Sequence, residues 1–184
     1  MERGSKGPHY DRGGNSRLQV TASVTVSAAG DVAQVDIVHD GKRVICGPGK
    51  KHLNKLPASE TIPPFGFDVA EKGFVRRSTF LRILKRFDRW LTENDVQRPV
   101  LLWIDGYDGH KGLEIQDFCR ERKIFMLVLL ENATHLLQPL DRTIFSPLKK
   151  EMENRIHNWS LHHPGESLDR YSLIEAGVNI LVKF

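Results

Sequence analysis

An α/β domain is predicted by three patterns in this chain. Val20, Ala22, Val24 and Val26 alternate with Thr21, Ser23 and Thr25, the period-2 signature of a half-buried antiparallel strand. Two continuous apolar runs, Val100–Ile104 and Ile124–Leu130, flank a helix-like stretch, Leu113–Arg122. Strand, helix, strand in that order implies a right-handed crossover and a parallel pair. Phe80, Ile83, Leu84, Phe87 and Leu91 recur at helical spacing, so a helix precedes the parallel pair.

The elements follow in order. Residues 1–17 are polar and contain Gly13-Gly14-Asn15-Ser16, so they read as a loop or tail. The first strand spans Leu18–Ala29, Ala29-Gly30-Asp31 makes a turn, and Val32–His39 returns to complete a hairpin. Gly47-Pro48-Gly49, Pro57 and Pro63-Pro64 make residues 41–73 a long irregular connection with short pieces of structure. The first helix begins near Arg77, with Ser78 or Thr79 available as a cap. The unbroken apolar character of Val100–Ile104 predicts burial on both faces, and Trp90 and Trp103 are read as core. A long helix is predicted from Pro139 to Trp159, with proline at a favoured first-turn position. Pro164-Gly165 breaks the chain, and Leu168–Val182 reads as a last helix.

Composition narrows the class. The 184 residues suffice for one domain with a real core. A net charge of +4 suits a polyanionic partner without requiring one. Cys46 and Cys119 form no CxxC pair, which argues against a disulfide framework or a structural zinc and for a reducing compartment. The N-terminus has no apolar core like that of a signal peptide, and no run of 18 or more apolar residues could span a membrane. The Asn132-Ala133-Thr134 sequon is therefore read as chance.

Two acids carry the chemistry. Asp105 closes the apolar run Val100–Ile104, and Asp141 sits where a helix begins. Held on rigid elements, two carboxylates can share Mg²⁺, a hard cation that prefers oxygen ligands. A strand-end acid also serves as a capping or ligand-site residue in many α/β folds, and an acid at a helix start is favoured by the dipole alone. Arg82, Lys85, Arg86 and Arg89 share one helix face, and Lys149 and Lys150 lie on another helix. Each set is either a solvated face or a phosphate-contacting one. His110 and His135 flank the two acids and are read as phosphate contacts, site organisers or polar packing residues. Asp108 reads as a loop acid, and Glu131 is a candidate to approach a metal from a strand end.

The string Leu101-Leu102-Trp103-Ile104-Asp105-Gly106-Tyr107-Asp108-Gly109-His110 resembles the strand-end motif of the DDE superfamily endonucleases, the transposases of pogo, Tigger and jerky type and proteins derived from them. Thr134-His135-Leu136-Leu137-Gln138-Pro139-Leu140-Asp141, followed by Phe145-Ser146-Pro147-Leu148-Lys149-Lys150, resembles that family's third-acid motif at length. The resemblance runs from about Gly4 to the C-terminus. It implies an RNase H-like fold, a five-stranded mixed sheet flanked by helices. It also implies three carboxylates holding two Mg²⁺ (or Mn²⁺) ions, a DNA partner and a nuclear location. Asp105 looks like the second carboxylate and Asp141 like the third, 36 positions on.

Several departures bear on function. The family's first Asp belongs to a strand upstream of the stretch resembling Lys6-Gly7-Pro8-His9, and Asp11, Asp31 and Asp36 sit in no matching motif. Gly106 stands where the family has Asn, and Leu130-Glu131 where it has two prolines. The family's N-terminal helix-turn-helix module is also absent. The expectation is therefore a truncated DDE domain over residues 18–160 lacking its first, central strand, with a tail at 1–17 and a helical extension at 161–184. It should bind DNA and hold metal weakly or not at all, with cleavage lost. The open alternatives are an active endonuclease once the upstream strand is restored, or a non-catalytic interaction module. A doubly wound regulator or phosphatase is disfavoured, because it leaves Leu136–Lys150 unexplained and no second acid follows Asp105 by two positions. The missing strand would leave two sheet edges unpaired, so the chain alone is expected to aggregate or fold incompletely.

Overall fold

A hairpin and a crossover organise the chain, as their periodicities predict. The computed structural model describes residues 19–42, 65–129, 140–164, 166 and 168–181, without the side chains of residues 141, 142, 170 and 171. Strands β1 (Val20–Val26) and β2 (Val32–Asp40) pair antiparallel. The Ser27 hydroxyl accepts the Ala29 and Asp31 amides in the turn, and Gly30 takes φ +101°, a conformation that glycine adopts without strain. The register slips beside Ala33, where Thr25 faces Gln34 and Val26 faces Val32. This extra residue turns Gln34, Asp36 and Val38 to one face and Val35 and Ile37 to the other.

A third strand, β3 (Gly66–Ala70), pairs parallel with β2 and completes a sheet ordered β1-β2-β3. It falls inside the stretch read as irregular from sequence. Helix α1 (Arg77–Glu93) follows. Its cap residue is Arg76, with no side-chain cap bond, and Thr79 is buried within the helix. The expected Ser78 or Thr79 cap is thus not used. The Phe80 amide bonds the Arg76 carbonyl at 2.8 Å, and the packed face of α1 supplies the rest.

Strand β4 (Val100–Ile104), helix α2 (Leu113–Glu121) and β5 (Ile124–Val128) form the predicted crossover, with β4 and β5 parallel in a separate two-stranded sheet. A five-residue π turn, Asp141–Phe145, leads into α3 (Ser146–His162), and α4 (Arg170–Leu181) follows. Pro147 sits in the first turn of α3 and has no N–H to offer the preceding turn, a situation that suits the wider π spacing. Pro139, the expected start of this helix, lies outside the described residues.

Two cores divide the work. On one side, α1 inserts Phe80, Ile83, Leu84, Phe87 and Leu91 between Ala33, Val38 and Ala70 of the first sheet and Ile104, Ile115, Cys119 and Ile124 of the crossover. A fully buried leucine such as Leu84 contributes about 1.5–3 kcal/mol. On the other side, Val35 and Ile37 meet Leu148 of α3 and Ile174, Val178, Ile180 and Leu181 of α4. The first sheet is therefore covered on both faces.

Among the described residues, the second sheet is covered on one face only. Val100, Leu102, Ile104, Ile124 and Met126 pack on the α1 side. Their alternates, Leu101 and Trp103 on β4 and Phe125 and Leu127 on β5, are 57%, 57%, 63% and 46% exposed. They form two cross-strand pairs, Leu101 with Phe125 and Trp103 with Leu127. This corrects the expectation of burial on both faces and of Trp103 as core. An apolar run fixes that a strand is buried, but the number of covered faces depends on which helices reach it. Trp90 does pack against the core.

Candidate functional site

Asp105 lies one residue past β4, where the chain leaves the sheet. The Tyr107 amide donates to Asp105 Oδ1 at 3.1 Å, closing an Asx turn over Gly106. A 3-10 turn, Asp108–His110, then brings His110 back, with Nδ1 at 2.7 Å from the same Oδ1. The approach is short but bent, for no acceptor lies along the Nδ1–H direction. The His110 ring rests against Phe80 of α1, centroids 4.2 Å apart, and meets the edge of Tyr107 at 5.5 Å. Gly109 lets this turn sit close: a Cβ there would be 2.6 Å from the Val75 carbonyl and 2.5 Å from the Tyr107 ring.

The consequence is electrostatic. His110 chiefly holds the Asp105 carboxyl below its ordinary range, partial burial pushes the other way, and the Tyr107 amide lowers it further. Asp105 is therefore a carboxylate at neutral pH. Its side chain is 40% exposed, while that of His110 is 16% exposed. Among the described residues Oδ2 accepts no hydrogen bond. A charged oxygen with one open position suits a hard divalent cation such as Mg²⁺. Among the described residues no group of three or more His, Cys, Asp or Glu side chains gathers around a metal-sized site.

The other expected site residues are placed as follows. Asp141 opens the π turn before α3, so its backbone stands at a helix entry as expected, while its side chain is outside the described atoms. His135 and Glu131 lie outside the described residues. Lys85 and Arg89 are exposed on α1, and Lys149 and Lys150 are exposed on α3. Asp108 forms an exposed ion pair with Arg77 at 3.1 Å.

Arg82 and Arg86 turn toward the first sheet. Arg82 grips Asp68 of β3 with Nε and Nη2, each at 2.7 Å. Arg86 Nε donates to Asp36 of β2 at 2.6 Å and its Nη2 lies 3.6 Å from Asp68. Gln34 also donates to Asp36. Gly66 makes room, since a Cβ there would collide with the Asp36 carboxylate and the Arg86 guanidinium. Burial pushes the Asp36 carboxyl up despite Arg86 and Gln34. Burial acts most strongly on Asp68 too, but Arg82, the Val69 amide and Arg86 together outweigh it and hold that carboxyl low. Two of the four cations expected to share one α1 face, Arg82 and Arg86, are thus neutralised by acids of the sheet. The sequence carried a signal for this, since Asp36 interrupts the apolar run of β2.

The sequence reading missed Tyr107 and Phe80 as parts of the Asp105 site. The Asp105-Gly106 step is the available signal for the turn that recruits Tyr107.

Comparison with known proteins places this geometry. The profile of the DDE superfamily endonuclease family matches residues 42–176, a span that contains β3, α1, the β4-α2-β5 crossover, Asp105, His110, Asp141 and α3. A curated protein of Cochliobolus lunatus described as "MFS-type transporter clz9" is 29% identical over 115 residues, which are 62% of this chain and 12% of that protein. No helix among the described residues is long and apolar enough to cross a membrane. No solved structure matches. With an acid at the end of a parallel strand, a second acid at the entry of α3, and a family match across most of the chain, the protein belongs to the DDE superfamily endonucleases.

Proposed function

We propose that this chain is a transposase-derived DDE domain that binds DNA through exposed basic residues and does not cleave it unaided. The observation that carries the reading is Asp105, ionised at the end of β4 with Oδ2 open. Bound there, Mg²⁺ would supply a Lewis acid for a phosphodiester oxygen and lower the pKa of its own water. Asp105 would bind it, His110 would hold Asp105, and Asp141 would provide a second carboxylate from the entry of α3. The family's chemistry uses three acids, and Asp105 and Asp141 are the two for which this sequence offers motif matches; holding metal and DNA is the part of that chemistry these residues support. A nuclear location goes with this reading.

For DNA, Lys85 and Arg89 on α1 and Lys149 and Lys150 on α3 are the available cations. Because α1 and α3 cover opposite faces of the first sheet, one duplex would engage one pair at a time. Two neutralised phosphates give a slope of log affinity against log salt of about −2. Anisotropy titrations with duplex DNA between low and moderate salt test this. Affinity independent of salt, or unchanged in both Lys85→Glu/Arg89→Glu and Lys149→Glu/Lys150→Glu, would refute DNA binding through these cations. Nicking of supercoiled DNA that needs Mg²⁺ and disappears in Asp105→Ala would show an active endonuclease instead. One observation favours a third reading, a protein-interaction module: the exposed apolar face of β4 and β5. That reading predicts no DNA binding at any salt.

A further inference from the structure

We infer that His110 is the positioning residue of the Asp105 site: it fixes the carboxylate by Oδ1 so that Oδ2 is the atom presented to a metal. The inference rests on the metal reading above and selects, from the readings of His110 as phosphate contact, site organiser or polar packing residue, the organiser, and names the atom it acts on. Three observations converge on it. Asp105 Oδ1 is held twice, by a hydrogen bond from the Tyr107 amide at 3.1 Å and by the close, bent approach of His110 Nδ1 at 2.7 Å. Oδ2 is engaged by none of the described residues. The imidazole is itself held on two sides, by the Phe80 ring at 4.2 Å and the Tyr107 edge at 5.5 Å.

A carboxylate side chain has two rotatable bonds, and an exposed one samples several rotamers. A ligand oxygen must be in place before the metal arrives, or binding includes the cost of ordering it. The Tyr107 amide alone leaves the carboxylate free to swing about that single bond. The second contact, from a ring packed on α1, removes this freedom. The packing also ties the site to the core, because Phe80 is buried among the residues that join both sheets. His110 then acts through Asp105 rather than on DNA. Its Nδ1 is buried beside Asp105 and so is not available to a phosphate.

The test uses the full 184-residue chain and three substitutions. His110→Phe keeps a ring on Phe80 and removes the nitrogen. His110→Asn returns an N–H near the Nδ1 position. His110→Ala removes both. Two readouts are taken: the Asp105 χ1 population from three-bond couplings without metal, and Mn²⁺ affinity. In the native chain Asp105 should hold one rotamer. In His110→Phe and His110→Ala it should average among rotamers, with Mn²⁺ affinity falling roughly 10- to 100-fold, the usual effect of losing a partner behind a ligand. His110→Asn should restore the single rotamer and most of the affinity. A native-like Asp105 rotamer in His110→Phe overturns the proposal, as does failure of His110→Asn to restore it. The two ideas fail separately: an ordered Asp105 with no Mn²⁺ uptake refutes the metal reading while supporting the positioning role.

Discussion

The two sheets of this protein bury similar apolar sequences in different ways. The first, β1-β2-β3, is covered on both faces and contains charge: Asp36 and Asp68 lie beneath α1 and are matched by Arg86 and Arg82. The second, β4-β5, is covered by the described residues on one face, contains no buried charge among them, and carries Asp105 at its end. Charge in the first sheet is therefore a matter of packing, while charge beside the second is open to ligands. The same residue type, an aspartate next to a strand, acquires opposite roles according to whether a guanidinium covers it.

The sharpest way to break the comparison is to strip the first sheet of one partner. Arg86→Met leaves Asp36, which is 1% exposed, without its guanidinium. Removing one member of a buried pair costs about 3–5 kcal/mol. Urea denaturation should show that loss, and a second change, Asp36→Leu, should recover most of it. A loss below about 1 kcal/mol, the scale of exposed pairs, would mean that the network is effectively solvated.

Neighbouring residues on β5 offer the next contrast. Ile124→Ala empties a buried position and should cost about 2–5 kcal/mol. Phe125→Ser, on the bare face, should change stability by about 0.5 kcal/mol or less. It should also reduce aggregation, because a contiguous exposed apolar patch promotes association. Equal losses at the two positions would show that the outer face is covered in solution.

The pH dependence has opposite signs at the two buried acids. The Asp68 carboxyl is held below its ordinary value of 3.8, so its charge favours the folded state. That contribution is complete above 3.8 and is lost as pH falls through and below it. Asp36 is raised above 3.8, so its charge opposes folding at neutral pH and acid relieves the opposition. Asp68→Asn should therefore flatten the acid limb of a stability-against-pH curve, and Asp36→Asn should steepen it. The same slope in both variants would contradict the assignment.

Much of this fold was legible locally. The β1–β2 hairpin and the β4-α2-β5 crossover follow from period and run length within short windows. Strand β3 was not legible, because Gly66-Phe67-Asp68-Val69-Ala70 places an acid at an inward position that only a partner from α1 makes tolerable. The same distance hid the roles of Arg82 and Arg86, whose carboxylates lie 14 and 50 residues away. The bare face of the second sheet was hidden for another reason. An apolar run looks the same whether a strand is covered on one face or two. At the site, Asp105 stood out because it ends such a run, whereas His110 and Tyr107 matter through a turn whose close packing depends on Gly109.

The central claim is that the acid beside the second sheet is a ligand while the acids under the first are structural. Paramagnetic broadening by Mn²⁺, read residue by residue on the amide spectrum, tests it most directly. The account predicts broadening centred on Asp105–His110 that vanishes in Asp105→Asn, with the amides around Asp36 and Asp68 untouched. Broadening that persists in Asp105→Asn, or that centres on β2 and β3, would contradict it.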